Sequence, residues 1–141
     1  MFERTQDALN AGNSTKRQHY LPAAIHKFAV EQQLNDGRYL GRGRGNLPTL
    51  ADIYAQLVSE GLAAVLEKRV VPVFTEIGRP ESFRSVQIKF PNATNDQLIA
   101  LKERADNGEF EVKPYKQISL ISLAVTLMEI AIAERQQVAV I

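Results

Sequence analysis

Apolar residues dominate one stretch of the chain, residues 117–135, more completely than any other. At helical spacing they cover nearly the whole circumference: Ile118, Ile121, Val125, Met128 and Ile132 on one side, Leu120, Leu123, Leu127 and Ile130 on the others. Such a pattern predicts a helix that is buried on every side. Glu129 interrupts the run, and its uncharged part is shorter than the ~18 residues of a membrane span. We therefore predict a core helix with the other segments packed around it.

Two short segments are predicted to be extended, and one of them has the polar–apolar alternation of a β-strand. The clearer one is residues 85–91, SVQIKFP, and residues 16–22, KRQHYLP, also end at a proline. Proline cannot donate a hydrogen bond to a sheet and disfavours helix in the residue before it. Both segments are therefore predicted to be strands that stop at the proline.

The segments that follow the two prolines also correspond. Helical spacing predicts helices at 23–36 and 92–107, each followed by a glycine, Gly37 or Gly108, with an aromatic residue two positions later. A loop with Pro48 or Pro114 then leads to a longer apolar helix, at 49–69 in the first case and in the opening segment in the second.

This shared order of strand, proline, helix, glycine, proline and helix predicts an internal duplication. The alternative is chance, because helix pairs recur in any helical protein. The predicted organisation is a flexible arm at 1–14, a first unit at 15–69, a linker at 70–84 and a second unit at 85–141, with both units in one compact domain.

A short alternating strand that ends in proline, followed by a helix, a turn and a longer apolar helix, resembles the ribbon-helix-helix family of DNA-binding proteins. The resemblance is to the tandem, single-chain form found in plasmid and conjugative DNA processing. It implies a mainly α fold with a two-stranded antiparallel ribbon, in which duplicated β-α-α units form a single-chain domain with pseudo-twofold symmetry. In that family the ribbon enters the major groove of DNA.

Strand alternation, combined with this resemblance, predicts which residues contact bases. In the second strand Val86, Ile88 and Phe90 are expected inside, which leaves Ser85, Gln87 and Lys89 outside. Alignment of the two prolines transfers this parity to Lys16, Gln18 and Tyr20. The same parity turns Arg17 and His19 inward, and a shift of one residue would exchange the faces. The alternative for all six predicted contacts is an ordinary solvated strand face.

Contacts to DNA phosphates are predicted at the starts of the longer helices. In the first unit the predicted contacts are Arg42 and Arg44, in a glycine-rich loop, and Thr49, at the start of the helix that follows. Lys113 and Lys116 occupy the corresponding place in the second unit. The alternative for this loop is a mobile surface segment. The glycine-rich loop lacks the ending of a nucleotide-binding P-loop.

Composition narrows the possible locations and functions of the protein. The net charge is +1, there is no cysteine, and the N-terminus lacks the pattern of a secretory signal, so a cytoplasmic protein without disulfides is expected. His19 and His26 are the only histidines, and no third ligand accompanies them, so no metal or other cofactor is predicted. Glu31, Asp36, Glu103 and Glu109 form no recognisable catalytic pair, which argues against an enzyme.

The sequence thus favours a sequence-specific binder of double-stranded DNA, either a transcriptional repressor or an accessory factor in plasmid maintenance or transfer. Other DNA-processing proteins, or a second copy on an adjacent site, are further candidate partners, and no membrane association is expected. The alternative is a helical protein–protein interaction module that does not bind DNA, which the near-neutral charge favours.

Overall fold

The chain forms four helices and four strands in the part that the structure describes. The computed structural model describes the backbone of residues 14–40, 49–77, 83–114 and 116–140, and the side chains of residues 19, 21–35, 49–77, 87–114 and 116–137. In chain order the elements are β1 (Ser14–Pro22), α1 (Ala23–Leu40), α2 (Leu50–Leu66), β2 (Val73–Thr75), β3 (Phe83–Pro91), α3 (Asn92–Asp106), β4 (Glu111–Lys113) and α4 (Leu120–Val140). The predicted arm lies almost wholly outside the described residues.

Helices α2 and α4 form the centre of the core by packing against each other. Helix α2 begins at a capping box, in which the Thr49 side chain accepts from the Asp52 amide and the Asp52 side chain accepts from the Thr49 amide. Apolar residues at helical spacing, from Ile53 to Val65, then form its buried face. The cap and the apolar spacing together explain why α2 starts where it does and which side it buries.

Helix α4 buries a broad face but not its whole circumference. Leu123, Val125, Leu127 and Met128 are fully buried, whereas Glu129 and Ala133 are exposed. The prediction of a helix buried on every side was therefore wrong. The chain has too few other elements to surround it, and Ile130 and Ile132 are left half-buried at the border of the core.

Strands β1 and β3 pair antiparallel over their full length of nine residues each. The alternation expected from the sequence is visible in β3, where Ile88 and Phe90 are completely buried while Gln87 and Lys89 are exposed. One face of this pair thus contributes to the core formed by the helices, and the other face is open to solvent at the described residues Gln87 and Lys89.

A second sheet overturns the predicted fold class. Strand β2 pairs with β4 in parallel, with Phe74 opposite Val112, and no such sheet belongs to a domain built only from two β-α-α units around one antiparallel ribbon. The structure is mainly helical with this additional small parallel sheet. The sequence did not reveal it because strands of three residues are too short to show alternation.

The two predicted units also differ in their first helices. Helix α1 continues through Gly37 to Leu40, whereas α3 ends at Asp106 and is followed by Gly108 in the left-handed region, with φ of +91°. The expected helix end at Gly37 was therefore wrong. A glycine ends a helix only when the chain adopts the left-handed conformation there, as it does at Gly108. The segment interpreted as a linker, 70–84, contains β2 and the first residues of β3.

Candidate nucleic-acid interface

The solvent side of the β1–β3 pair is the surface on which the predicted base contacts fall. The register places Gln18 opposite Gln87 and Lys16 opposite Lys89, and Tyr20 opposite Ser85. All six predicted residues therefore belong to three directly facing pairs. The side chains of Lys16, Gln18, Tyr20 and Ser85 lie outside the described residues, and those of Gln87 and Lys89 are exposed.

The inner side of the same pair fixes which side chains remain outside. Leu21, Ile88 and Phe90 are completely buried and belong to the hydrophobic core. Because successive residues of a strand alternate between faces, burial of Ile88 and Phe90 commits Gln87 and Lys89 to the solvent side. A slip of one residue would expose both apolar side chains, so the register is strongly specified.

His19 is one of the two polar residues that the sequence predicted to turn inward, and the side chain of the other, Arg17, lies outside the described residues. His19 is completely buried, and its ring lies edge-on to Phe90, with 5.8 Å between the ring centroids. An aromatic pair in this geometry stabilises the interior beyond simple burial. The inward position of His19 in β1 agrees with the parity obtained by aligning the two prolines.

The two strands carry positive charge without any acidic residue to balance it. Their sequences, STKRQHYLP and FRSVQIKFP, contain Lys16, Arg17, Arg84 and Lys89 but no aspartate or glutamate. Like charges that face each other directly across a strand pair destabilise it, and Lys16 is opposite Lys89. An anion bound against the ribbon would reduce this repulsion between the two lysines.

The starts of the two long helices differ in what covers them. At α2, exposed Thr49 is capped by a residue of the same helix, with 3.4 Å between its amide nitrogen and Asp52 Oδ2. At α4, Ser119 Oγ accepts from the Ser122 amide in the same way, at 3.1 Å. Two carboxylates from other segments are added there: Asp106 Oδ1 accepts from the Ile118 amide at 3.0 Å, and Glu76 Oε2 accepts from the Ser119 amide at 2.9 Å. The two helix starts are therefore not equivalent.

The predicted phosphate contacts are spread over these two places. Lys113, the last residue of β4, and Lys116, in the loop before α4, are both exposed. Lys113 Nζ lies 3.3 Å from Glu111 Oε1. Arg42 and Arg44 lie outside the described residues. The sequence interpretation missed Glu76 and Asp106, which come from distant segments; the serine pair Ser119 and Ser122, spaced like Thr49 and Asp52, was the available indication of a cap.

Asp106 is held ionised by its neighbours. Burial alone would raise the pKa of its carboxyl group, but hydrogen bonds from Lys102 and from the Ile118 amide, with the charge of Lys102, bring the pKa below its ordinary value. The distance between Lys102 Nζ and Asp106 Oδ2 is 2.5 Å. This aspartate therefore carries its negative charge, paired with Lys102, at the start of α4.

Other polar groups in the described part of the chain do not form a metal site. His26 Nδ1 lies 2.8 Å from the hydroxyl of buried Tyr54. Among the described residues, no cluster of histidine, aspartate and glutamate has the arrangement needed to hold a metal ion. An open groove between α2 and the end of α4 is bordered by Glu60 and Arg135, which pair with each other across it.

Comparisons with protein-family models, with curated proteins and with solved structures find no match for this chain. Within the described residues, no helix has the length and apolar character needed to cross a membrane. The geometry of the β1–β3 pair and its charges therefore carry the functional argument.

Proposed function

We propose that this protein binds double-stranded DNA sequence-specifically and inserts the solvent side of the β1–β3 ribbon into the major groove. The observation that carries the proposal is the facing of Gln18 with Gln87 and of Lys16 with Lys89, in two strands without an acidic residue. The strand–proline–helix pattern resembles that of ribbon-helix-helix proteins, and this resemblance supports the proposal. Membership of that family is included in what we propose.

The dimensions and chemistry of the ribbon suit this task. Two paired strands lie about 4.8 Å apart, and the major groove is about 12 Å wide, so a two-stranded ribbon with its side chains fits. Glutamine can form two hydrogen bonds with adenine, and lysine can contact guanine or phosphate. The exposed pair Gln87 and Lys89 thus supplies base recognition next to the buried residues that hold the ribbon to the core.

The proposed biological role is transcriptional repression or an accessory role in plasmid maintenance or transfer, in the cytoplasm. Both halves of the ribbon are in one chain, so its formation does not depend on protein concentration. The two strands also differ in sequence, so the two halves of a DNA site need not be identical. Other DNA-processing proteins or a second copy on an adjacent site are the partners that this role implies.

The test is a selection of duplexes from a random pool, followed by titration of the selected duplex at several salt concentrations. Specific binding is expected, with the logarithm of the association constant falling by about 0.9 per neutralised phosphate for each unit of log salt. A protein that selects no duplex, and whose binding does not depend on salt, would contradict the proposal.

A second candidate is a protein-binding module. Val71 is 88% exposed, and Leu66 and Val73, close to it in sequence, are 42% and 41% exposed. Large apolar side chains left in solvent this way are typical of surfaces that bind other proteins. This candidate predicts no salt-sensitive DNA binding, so the titration distinguishes the two.

A further inference from the structure

The solvent-side positions of the β1–β3 ribbon carry different residues at its two ends. In order along the ribbon, the facing pairs are Lys16 with Lys89, Gln18 with Gln87, and Tyr20 with Ser85. The glutamine pair is the fifth of the nine pairs in the register, so it lies at the centre of the ribbon. One end therefore has two lysines, which we call the lysine end, and the opposite end has a tyrosine and a serine.

This distribution breaks the twofold symmetry of the ribbon. An axis through the central glutamine pair would relate Lys16 to Ser85 and Tyr20 to Lys89, because each related pair lies equally far from the centre along its own strand. Two identical strands would therefore give the two ends equal numbers of lysines. Here β3 has serine where β1 has lysine, and lysine where β1 has tyrosine. Both lysines consequently belong to the same end.

The other two cations of the strands do not offset this difference. Arg17 is paired with Ile88, and Arg84 with Leu21. Ile88 and Leu21 are completely buried, and residues directly opposite each other in a strand pair belong to the same face. The positions of both arginines are therefore on the inner face, one on each side of the centre. The unequal charge of the solvent side is that of the two lysines.

We propose that the ribbon is directional: it binds a target that is not palindromic, in one orientation, with the lysine end over a half that contains guanine. This inference rests on the proposed function and names the class of DNA target. Lysine can bond guanine and glutamine can bond adenine, whereas serine does not discriminate strongly between bases.

The spacing of the pairs gives the expected arrangement of the target. Residues two apart in a strand are separated by about 6.8 Å. This equals the length of two base pairs, at about 3.4 Å each. The target should therefore have A·T pairs at its centre and guanine about two base pairs away, on one side only.

Affinity cleavage of the selected duplex measures the direction. The chain has no cysteine, so one introduced cysteine can carry an iron chelate that cleaves the DNA close to it. Ala24 and Ala93 are matched positions, because both are exposed and each is the second residue of the helix that follows its strand. The register puts the end of β3, before Ala93, at the lysine end and the end of β1, before Ala24, at the opposite end.

The Ala93→Cys conjugate should cleave only the half that contains guanine, and the Ala24→Cys conjugate only the other half. Cleavage of both halves by each conjugate, or the reverse assignment, would overturn the proposal. Replacement of the guanine by adenine in that half should weaken binding by roughly 5- to 150-fold, the equivalent of about 1–3 kcal/mol for a bidentate base contact.

Two double variants make the ribbon symmetric without changing its net charge. Ser85→Lys with Lys89→Tyr gives β3 the solvent-side residues of β1, and Lys16→Ser with Tyr20→Lys gives β1 those of β3. Each end then has one lysine. Both variants should select duplexes with guanine on both sides of the centre. A folded double variant that still selects a one-sided target would show that the lysines do not set the direction.

The selection separates the direction of binding from binding itself. A parent protein that selects a palindromic duplex, with salt-dependent binding, contradicts the direction and leaves the proposed function intact. A parent protein that selects no duplex removes both.

Discussion

Gly61 of α2 lies directly against the backbone of Leu127 in α4. A β-carbon at position 61 would lie 2.0 Å from the Leu127 carbonyl oxygen and 2.6 Å from its carbonyl carbon. Only a residue without a side chain permits the two central helices to approach this closely. The close approach lets the apolar faces of α2 and α4 form one continuous core, since Leu57, Leu62 and Met128 around it are buried.

Replacement of Gly61 by alanine should therefore destabilise the protein although alanine favours helix. The backbone of Leu127 cannot move away as a flexible side chain would, so the helices must separate, and we expect a loss of about 1–3 kcal/mol in the free energy of unfolding. Urea denaturation measures it. Gly108→Ala is a suitable comparison: nothing lies within 4 Å of a β-carbon there, and φ of +91° is the source of any cost. Equal stability of Gly61→Ala and the parent would show that the helices are not in contact at this point.

Gln87→Ala and Lys89→Ala should affect DNA recognition and leave the fold intact. Both side chains are exposed, so stability should change by less than about 0.5 kcal/mol. Loss of a bidentate base contact should reduce discrimination between the selected site and a changed site by about 1–3 kcal/mol. Competition titrations with both duplexes measure it. Gln97→Ala, an exposed glutamine on α3, is the control, and unchanged discrimination in both ribbon variants would exclude the ribbon as the specificity element.

Asp106 should make the protein less stable in acid. Its pKa in the folded protein lies below the ordinary aspartate value of 3.8, so its ionised form stabilises the fold at pH values above the pKa of the unfolded chain. This contribution is lost as the pH falls through 3.8 and then through the lower pKa of the folded state. Asp106→Asn should therefore lose less stability on acidification than the parent. Denaturation at neutral and acidic pH measures the difference, with Asp96→Asn, exposed on α3, as control. Parallel stability–pH curves for Asp106→Asn and the parent would contradict the role assigned to Lys102 and Ile118.

Glu129, unlike Asp106, should reduce the stability of the protein at neutral pH. Although Glu129 is exposed, partial desolvation of its side chain raises its pKa above the ordinary value of 4.5, so the charged form is disfavoured in the folded protein at neutral pH. Glu129→Gln should therefore be more stable than the parent at neutral pH, and the gain should shrink as the pH falls through the raised pKa and the parent carboxyl group protonates. Thermal denaturation at the two pH values checks this, with Glu103→Gln, exposed on α3, for comparison. A destabilised Glu129→Gln at neutral pH would indicate a favourable partner for the carboxylate.

The duplication inferred from the sequence does not predict the surroundings of the two long helices, because their starts differ. The proline-terminated strands and the long apolar helices correspond in the two halves. The surroundings of Thr49 and Ser119 do not, because Glu76 and Asp106 reach only the second of them.

Local patterns in the sequence determined several features of this protein by themselves. Alternation in β3 located a strand with Ile88 and Phe90 inside, and helical spacing located α2 and α4, because burial of one face imposes a period that can be counted along the chain. The turn after α3 at Gly108 was also predicted, since a left-handed residue there favours glycine.

Tertiary structure decided the rest. Three features depend on neighbours that are distant in sequence. They are the continuation of α1 through Gly37, the pairing of β2 with β4 thirty-eight residues later, and the need for a residue without a side chain at Gly61. The same is true of Glu76 at the start of α4. A three-residue strand pairs with one other segment, and Gly61 contacts one residue of a neighbouring helix. A contact with a single distant partner produces no repeating pattern of apolar residues, so it cannot be inferred from the sequence.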